Sequence, residues 1–204
     1  MHEEEVIHRI LDGEFLSHVG IVHDNSPVVI PTLYGRERST VYIHGASVSR
    51  LIIQIEQGIE LLPKCLVLAR SAFHHSLNYE SVVVLGKGNL VEDVGKKHEV
   101  KVISDHVLKG RWEETRLPNK TELKATKIIE IEISEATAKN RTGDPIDEKA
   151  DFDLPIWAGV LPIETCYGTP VSDSKLALNI EMSFSIKAIQ YKKKGPKPFS
   201  IPTK

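Results

Sequence analysis

Ser17-His18-Val19-Gly20-Ile21-Val22-His23-Asp24-Asn25-Ser26-Pro27-Val28-Val29-Ile30-Pro31-Thr32-Leu33-Tyr34-Gly35-Arg36-Glu37-Arg38-Ser39-Thr40-Val41-Tyr42-Ile43-His44 is the stretch that decides the fold. It holds three β-rich runs, Ser17–Val22, Pro27–Tyr34 and Thr40–His44. β-branched and aromatic side chains suit a pleated, half-buried surface. The turn-forming groups Asp24-Asn25-Ser26-Pro27 and Gly35-Arg36-Glu37-Arg38 separate the runs, because such residues tolerate tight backbone reversals. The stretch reads as an antiparallel meander.

Working outward, Val6, Ile7, Ile10 and Leu11 recur on one helical face, so Glu3 to Leu11 is predicted as a short amphipathic helix ended by Gly13. After the meander the period turns helical again from Ser47, with Leu51, Ile52 and Ile55 on one face and Gly58 following. Two β stretches come next, Lys64 to Phe73 and Glu80 to Val91, and the uninterrupted run Val82-Val83-Val84-Leu85 suits a strand covered on both faces. Asp93 to Leu108 reads as helix and Thr126 to Ile133 as strand. Strands that outnumber helices, without one-for-one alternation, argue against a doubly wound parallel sheet and for a closed or half-closed antiparallel barrel, mainly β (α+β), with flanking helices. The expected organisation is one domain over 1–204, with a helical N-terminus 1–12, a long functional loop 139–155 and a basic C-terminal tail 191–204.

Composition excludes several classes. The 204 residues are 41% hydrophobic and 26% charged with formal charge -2, and mean hydropathy is -0.17; this is an ordinary globular chain. A near-neutral charge gives nucleic acid or an anionic membrane no electrostatic hold. No apolar run approaches the roughly 20 residues that span a bilayer. The start Met1-His2-Glu3-Glu4-Glu5 is acidic where a signal peptide is basic. Cys65 and Cys166 sit in apolar sequence and form no disulfide framework. A cytoplasmic setting is expected, with nuclear entry open to a chain of this size.

The segment His44-Gly45-Ala46-Ser47-Val48-Ser49-Arg50 joins a strand to the predicted helix. A helix N-terminus offers unpaired N–H groups and partial positive charge, and two hydroxyls and a guanidinium add donors, so the corner is a candidate phosphate seat; plain N-capping by Ser47 is the alternative. Gly86 and Gly88 fall in a predicted strand without the third glycine and helix of a dinucleotide loop. His74 and His75, read as strand residues, point to opposite faces without neighbouring ligands, so no metal site is expected. No nucleophile elbow is present. The segment from Ala69 to Val82 is dense in polar and aromatic groups that could orient a planar cofactor; alternatively Tyr79 packs on the core and the histidines are solvated. Trp157 reads as core, with ring stacking as the alternative.

These pieces, His18-Val19-Gly20, Pro27 to Tyr34, His44 to Arg50, Ala69 to Ser76, Asn78 to Val82, Lys139 to Gly143 and the Trp157 segment, resemble in order the FMN-binding split-barrel proteins related to pyridoxamine 5'-phosphate oxidase, in the branch that includes nitroimidazole-reductase relatives. The resemblance implies a six-stranded antiparallel split barrel, a homodimer, and two FMN sites at the subunit interface. By position, Val29, Ile30, Pro31 and Thr32 would line the isoalloxazine through backbone groups. His44, Ser47, Ser49 and Arg50 would surround the phosphate, Ser81 would touch the flavin, and Arg141 and Trp157 would approach the cofactor or substrate pocket. Leu51 stands where the family's oxidases carry a phosphate-binding lysine, and Lys192-Lys193-Lys194-Gly195-Pro196-Lys197-Pro198-Phe199 replaces their terminal arginine- and histidine-bearing motif. The implied function is therefore an FMN-dependent oxidoreductase acting on a small molecule other than pyridoxamine phosphate. A non-catalytic binder of FMN or a pyridoxal-phosphate-like ligand is the alternative, and a haem protein a further one. If an acid or base is needed, His74 or His75 is the candidate.

Overall fold

The computed structural model describes residues 2–45 and 55–192. Helix α1, His2–Gly13, leads into the hairpin of β1, Leu16–His23, and β2, Ser26–Glu37. The turn between them is Asp24 (φ 49°) and Asn25 (φ 61°). Two left-handed residues make the turn whose twist matches a hairpin, and Asp and Asn bear that conformation well. The second predicted turn lies elsewhere. Gly35, Arg36 and Glu37 continue β2, and the chain reverses at Arg38 (φ 53°) before β3, Thr40–His44. Gly35 serves close approach instead: a Cβ there would stand 2.6 Å from Ile103 Cα.

β4, Ile55–Leu68, corrects the helical reading at Ile55 and Gly58; residues 47–54 of that helix lie outside the described residues. β4 is paired with β5, Ser76–Leu85, along most of its length. Its other edge meets β1 over Ile55 to Ile59 and β9, Gly159–Pro162, over Cys65 to Leu68. The β4–β5 register shifts between Pro63 and Cys65, as a residue without an N–H requires. The predicted strand to Phe73 thus stops at Leu68, and the one predicted over Glu80–Val91 is two. β5 ends at Leu85, and β6, Gly88–Leu90, starts after Gly86, whose Cβ would lie 2.8 Å from Ile131 Cγ2.

Helices α2, Lys96–Val107, and α3, Lys120–Ala125, precede β7, Ile128–Glu132, and β8, Glu135–Arg141. Strand order is β6-β7-β3-β2-β1-β4-β5-β8, with β9 on β4. β7 and β8 belong to opposite ends of that path, yet only Ile133 and Ser134 separate them in sequence. The sheet therefore curls until its ends are joined by the chain instead of by a ladder. This is a split barrel, not a closed one, and counting β7 and β8 as one run, without the short β6 and β9, gives the six strands expected.

Inside the barrel Ile10, Leu11, Val19, Ile43, Val82 and Ile129 form one core, and α1 supplies its plug through Ile7, Ile10 and Leu11. Buried Tyr34 donates from Oη to Leu11 O at 2.6 Å. On β5 the residues Asn78, Glu80, Val82 and Val84 are buried, while Leu85 is exposed, so the apolar run is covered on one face and only partly on the other. A second core of Tyr42, Val91, Ile103 and Ile128 lies under α2. Helix α3, which the hydrophobic pattern does not announce, is held by a reciprocal cap. Asn119 Oδ1 accepts from Glu122 N at 2.9 Å, and Asn119 N donates to Glu122 Oε2 at 2.8 Å.

The chain divides into two compact units, Met1–Ile163 and Glu164–Lys204. In the second, described residues run in irregular structure to α4, Phe184–Lys192. Cys166 is exposed and Cys65 half-buried, so the apolar surroundings expected for both hold only in part. Among the described residues no helix is long and apolar enough to cross a membrane.

Candidate functional site

The candidate flavin residues of β2 occupy an open strand edge. Residues Ser26 to Leu33 pair with β1, and only Tyr34 to Glu37 pair with β3. The two-residue turn makes His23 and Ser26 a hydrogen-bonded pair, and such pairs alternate with outward-facing ones. Pro27, Val29, Pro31 and Leu33 therefore turn their backbone groups away from β1. Prolines at two of these positions cost no ladder bond. Among the described residues this leaves the Val29 N–H and the carbonyls of Pro27, Val29 and Pro31 without a strand partner. Ile30 packs on the core and Val29 is 64% exposed. Ser17 Oγ donates to Thr32 O at 3.3 Å.

The β2–β3 ladder ends at Tyr34 opposite Ile43, so His44, the first residue of the candidate phosphate segment, stands at the mouth of this edge. Its ring reaches solvent, while burial by its surroundings pushes the imidazole pKa down from the ordinary value. Ser47, Ser49 and Arg50 lie outside the described residues.

Ser81 and Arg141 lie apart from that edge. Ser81 sits opposite Leu61 and Lys139 on the outward face of β5, with Tyr79; Lys139 Nζ stands 5.7 Å from the Tyr79 ring centroid. Tyr79 is therefore not a core residue. Arg141 Nη1 donates to Leu77 O at 3.0 Å and Asn78 Oδ1 at 3.1 Å, and Asn78 Nδ2 donates to Gly143 O at 2.9 Å. On the inner face Glu80 accepts from Arg9 at 2.7 and 3.0 Å and meets Lys64 Nζ at 3.3 Å. The Arg9 hydrogen bonds hold its carboxyl below the usual range.

A third group gathers where β4 ends. His74 and His75 are not strand residues: Ala72–His74 is a single 3-10 turn capped by Ser71. His75 Nδ1 accepts from Ala69 N at 3.2 Å, while the His74 ring packs edge-on to Phe73, 5.3 Å between centroids. Asp147, from the predicted long loop, reaches this turn. It accepts from Arg70 N at 2.8 Å, Arg70 Nη1 at 3.0 Å and Ser71 N at 3.4 Å. Burial works to raise its pKa, and the Arg70 guanidinium with the two amides more than offsets that, leaving it below the ordinary value. Trp157 is 68% exposed, not core. It lies against Gly159, whose Cβ would stand 3.0 Å from the indole, and Gly159 pairs with Leu68. The spacing of Asp147 from Arg70 gave the sequence reading no sign of this clamp.

Elsewhere a cavity of about 270 Å³ between β2 and α2 is lined by charged groups that already pair with one another or nearby: Arg36 with Asp12, His98 with Glu37, Lys101 with Asp105. No cluster of three or more metal-ligating side chains occurs among the described residues.

A split antiparallel barrel whose strand β2 leaves an edge open among the described residues is the architecture of a flavin-binding split barrel. The chain belongs to the pyridoxamine 5'-phosphate oxidase family, whose profile matches residues 3–140. No curated protein matches it. Among solved structures it is similar to the flavocytochrome Anf3 from Azotobacter vinelandii, with 34% identity and TM-score 0.85 over 93% of this chain and 91% of that one. It is also similar to an FAD and heme binding protein from Mycobacterium smegmatis, with 28% identity and TM-score 0.83 over 88% and 91%. A 5-nitroimidazole antibiotic resistance protein from Bacteroides thetaiotaomicron shares the fold at 18% identity and TM-score 0.53, covering 68% of this chain and 84% of its own.

Proposed function

We propose that the protein is a redox protein that binds a flavin and haem. The observation that carries this is the likeness to a flavocytochrome across nearly the whole chain, 34% identical at TM-score 0.85. The residues suit a flavin. An isoalloxazine presents alternating donors and acceptors along one rim, and the open edge of β2 offers the Val29 N–H between carbonyls. His44, Ser47, Ser49 and Arg50 follow in sequence as the phosphate side. FMN is the sequence expectation; the Mycobacterium smegmatis relative, which binds FAD, favours the dinucleotide, and we adopt FAD.

For haem, the adjacent histidines that alone suggest no metal site become the candidates. His74 is the better ligand. His75 Nδ1 accepts from the Ala69 amide, so in the neutral ring Nε2 carries the proton and is blocked from iron. Bound flavin and haem supply the electron-transfer chemistry, and the protein binds, orients and shields them. Ser81 and Arg141 stand apart from the β2 edge within one chain, so a homodimer that brings them to it from the second subunit fits best, in the cytoplasm and with a small-molecule reactant; Trp157, beside β9 and the end of β4, is left to the haem side. Purified protein should show flavin bands and a Soret band, and the flavin released by denaturation should run as FAD. Absence of saturable flavin binding refutes the reading. His74→Ala should abolish the Soret band that His75→Ala retains.

A further inference from the structure

We propose that the corner at the end of β4 is the porphyrin-binding face of this protein, built from Phe73, His74, Phe152 and Trp157 and held in place by buried Asp147. The proposal rests on the haem reading above and names its site. Three observations lead to it. First, a fully buried carboxylate is spent on this corner: the Asp147 side chain is 0% exposed and ties Arg70 and Ser71 to the loop after β8. Removing a carboxylate from water is costly and is offset only by well-placed partners, here the Arg70 guanidinium and two backbone amides, so the clamp holds the turn and the loop in one arrangement.

Second, large apolar rings stand in solvent around the clamp. Phe73 is 89% exposed and Phe152 57%, with Arg70 5.2 Å from the Phe152 ring centroid, while Trp157 lies just before the strand that pairs with Leu68. Exposed rings beside an imidazole that packs edge-on to Phe73 suit a flat, apolar ligand with a metal at its centre. Third, the family profile ends at residue 140, before Asp147, Phe152 and Trp157. The two flavin and haem relatives cover 93% and 88% of the chain, well past that limit. The segment they add to the barrel is the one that builds this face.

The test is a haemin titration of the full chain followed at the Soret band, with flavin content and dimer mass measured on the same samples. Trp157→Ala and Phe152→Ala remove exposed side chains, so both should fold as the parent does, retain flavin, and bind haemin about tenfold more weakly or worse. Asp147→Asn keeps an acceptor for the two amides but loses the charge facing Arg70; it should weaken haemin binding and move the Soret maximum without flavin loss. Haemin affinity within twofold of the parent in Trp157→Ala and Phe152→Ala overturns the proposal while the haem reading stands. A change in dimerisation in place of haemin affinity overturns it too, by making the face a protein contact. A parent with no saturable haemin binding sinks both.

Discussion

Replacing Gly35 by alanine tests whether β2 and α2 meet as closely as described. A Cβ at this position would lie 2.6 Å from Ile103 Cα, 2.7 Å from Ile103 N and 2.9 Å from Val102 C. Carbon atoms rest at roughly 3.5–4.0 Å, so α2 must move out by about 1 Å. The obstruction is helix backbone, which no side-chain rotation can relieve. Overpacking of this kind costs about 1–3 kcal/mol. Lifting α2 also uncovers part of Ile103, 3% exposed in the second core, whose burial is worth about 1.5–3 kcal/mol when complete. A combined loss of about 3 kcal/mol is expected, a large share of the ~5–15 kcal/mol that holds a domain. In a chain of this size that lowers Tm by roughly 6–12 °C. Thermal and urea unfolding measure it, and Trp112 fluorescence in a Trp157→Phe background reports on α2, because Trp112 is buried next to that helix. Gly13→Ala is the control, its nearest contact being Leu62 Cδ1 at an ordinary 3.8 Å. A loss under about 1 kcal/mol for Gly35→Ala would refute the argument.

Val29→Pro should remove the one N–H offered by the open edge of β2 without breaking a bond to β1, so flavin binding should weaken by up to about tenfold with little change in Tm; equilibrium dialysis against flavin checks it, and unaltered affinity would move the flavin elsewhere. Tyr34→Phe removes one of the donors to the Leu11 carbonyl, His106 being the other, and should cost about 0.5–1.5 kcal/mol in urea unfolding. Glu122 is held at about 2, first by the Arg116 side chain and then by the Asn119 amide. A depressed carboxyl stabilises the fold above its ordinary value near 4.5 and ceases to as pH falls toward 2. The Tm difference between parent and Glu122→Gln should therefore be constant above pH 5 and shrink steadily between about pH 4 and 2.

Much of the barrel was legible from short-range chemistry. Asp24-Asn25 announced a hairpin because those two residues tolerate the left-handed turn, and β3 came out residue for residue. Gly35 misled because glycine marks close approach as well as turns, and the approaching helix is more than sixty positions away in sequence. The helical period after Ser47 ran into β4 because Ile55 and Gly58 fit either element locally, and only pairing with β1 and β5 decides between them. Trp157 reads as core on its size, yet it stands 68% exposed because its neighbours in the chain are held in loop and edge strand. The edge of β2 was half visible: prolines at 27 and 31 share one strand parity, a pattern that betrays an unpaired edge once it is looked for. The Asp147 clamp was invisible, since nothing local in an Asp-Pro-rich loop reveals its partner.

β4 outruns its neighbour. β1 leaves it after Ile59 at one end, and β9 takes up the vacated side from Cys65 to Leu68. Without β9, those four residues would offer bare backbone to any passing strand, the usual starting point for aggregation. The C-terminal extension thus protects solubility as well as shaping a surface, and a chain cut back to the bare barrel would gain a sticky margin in the same stroke that costs it Trp157.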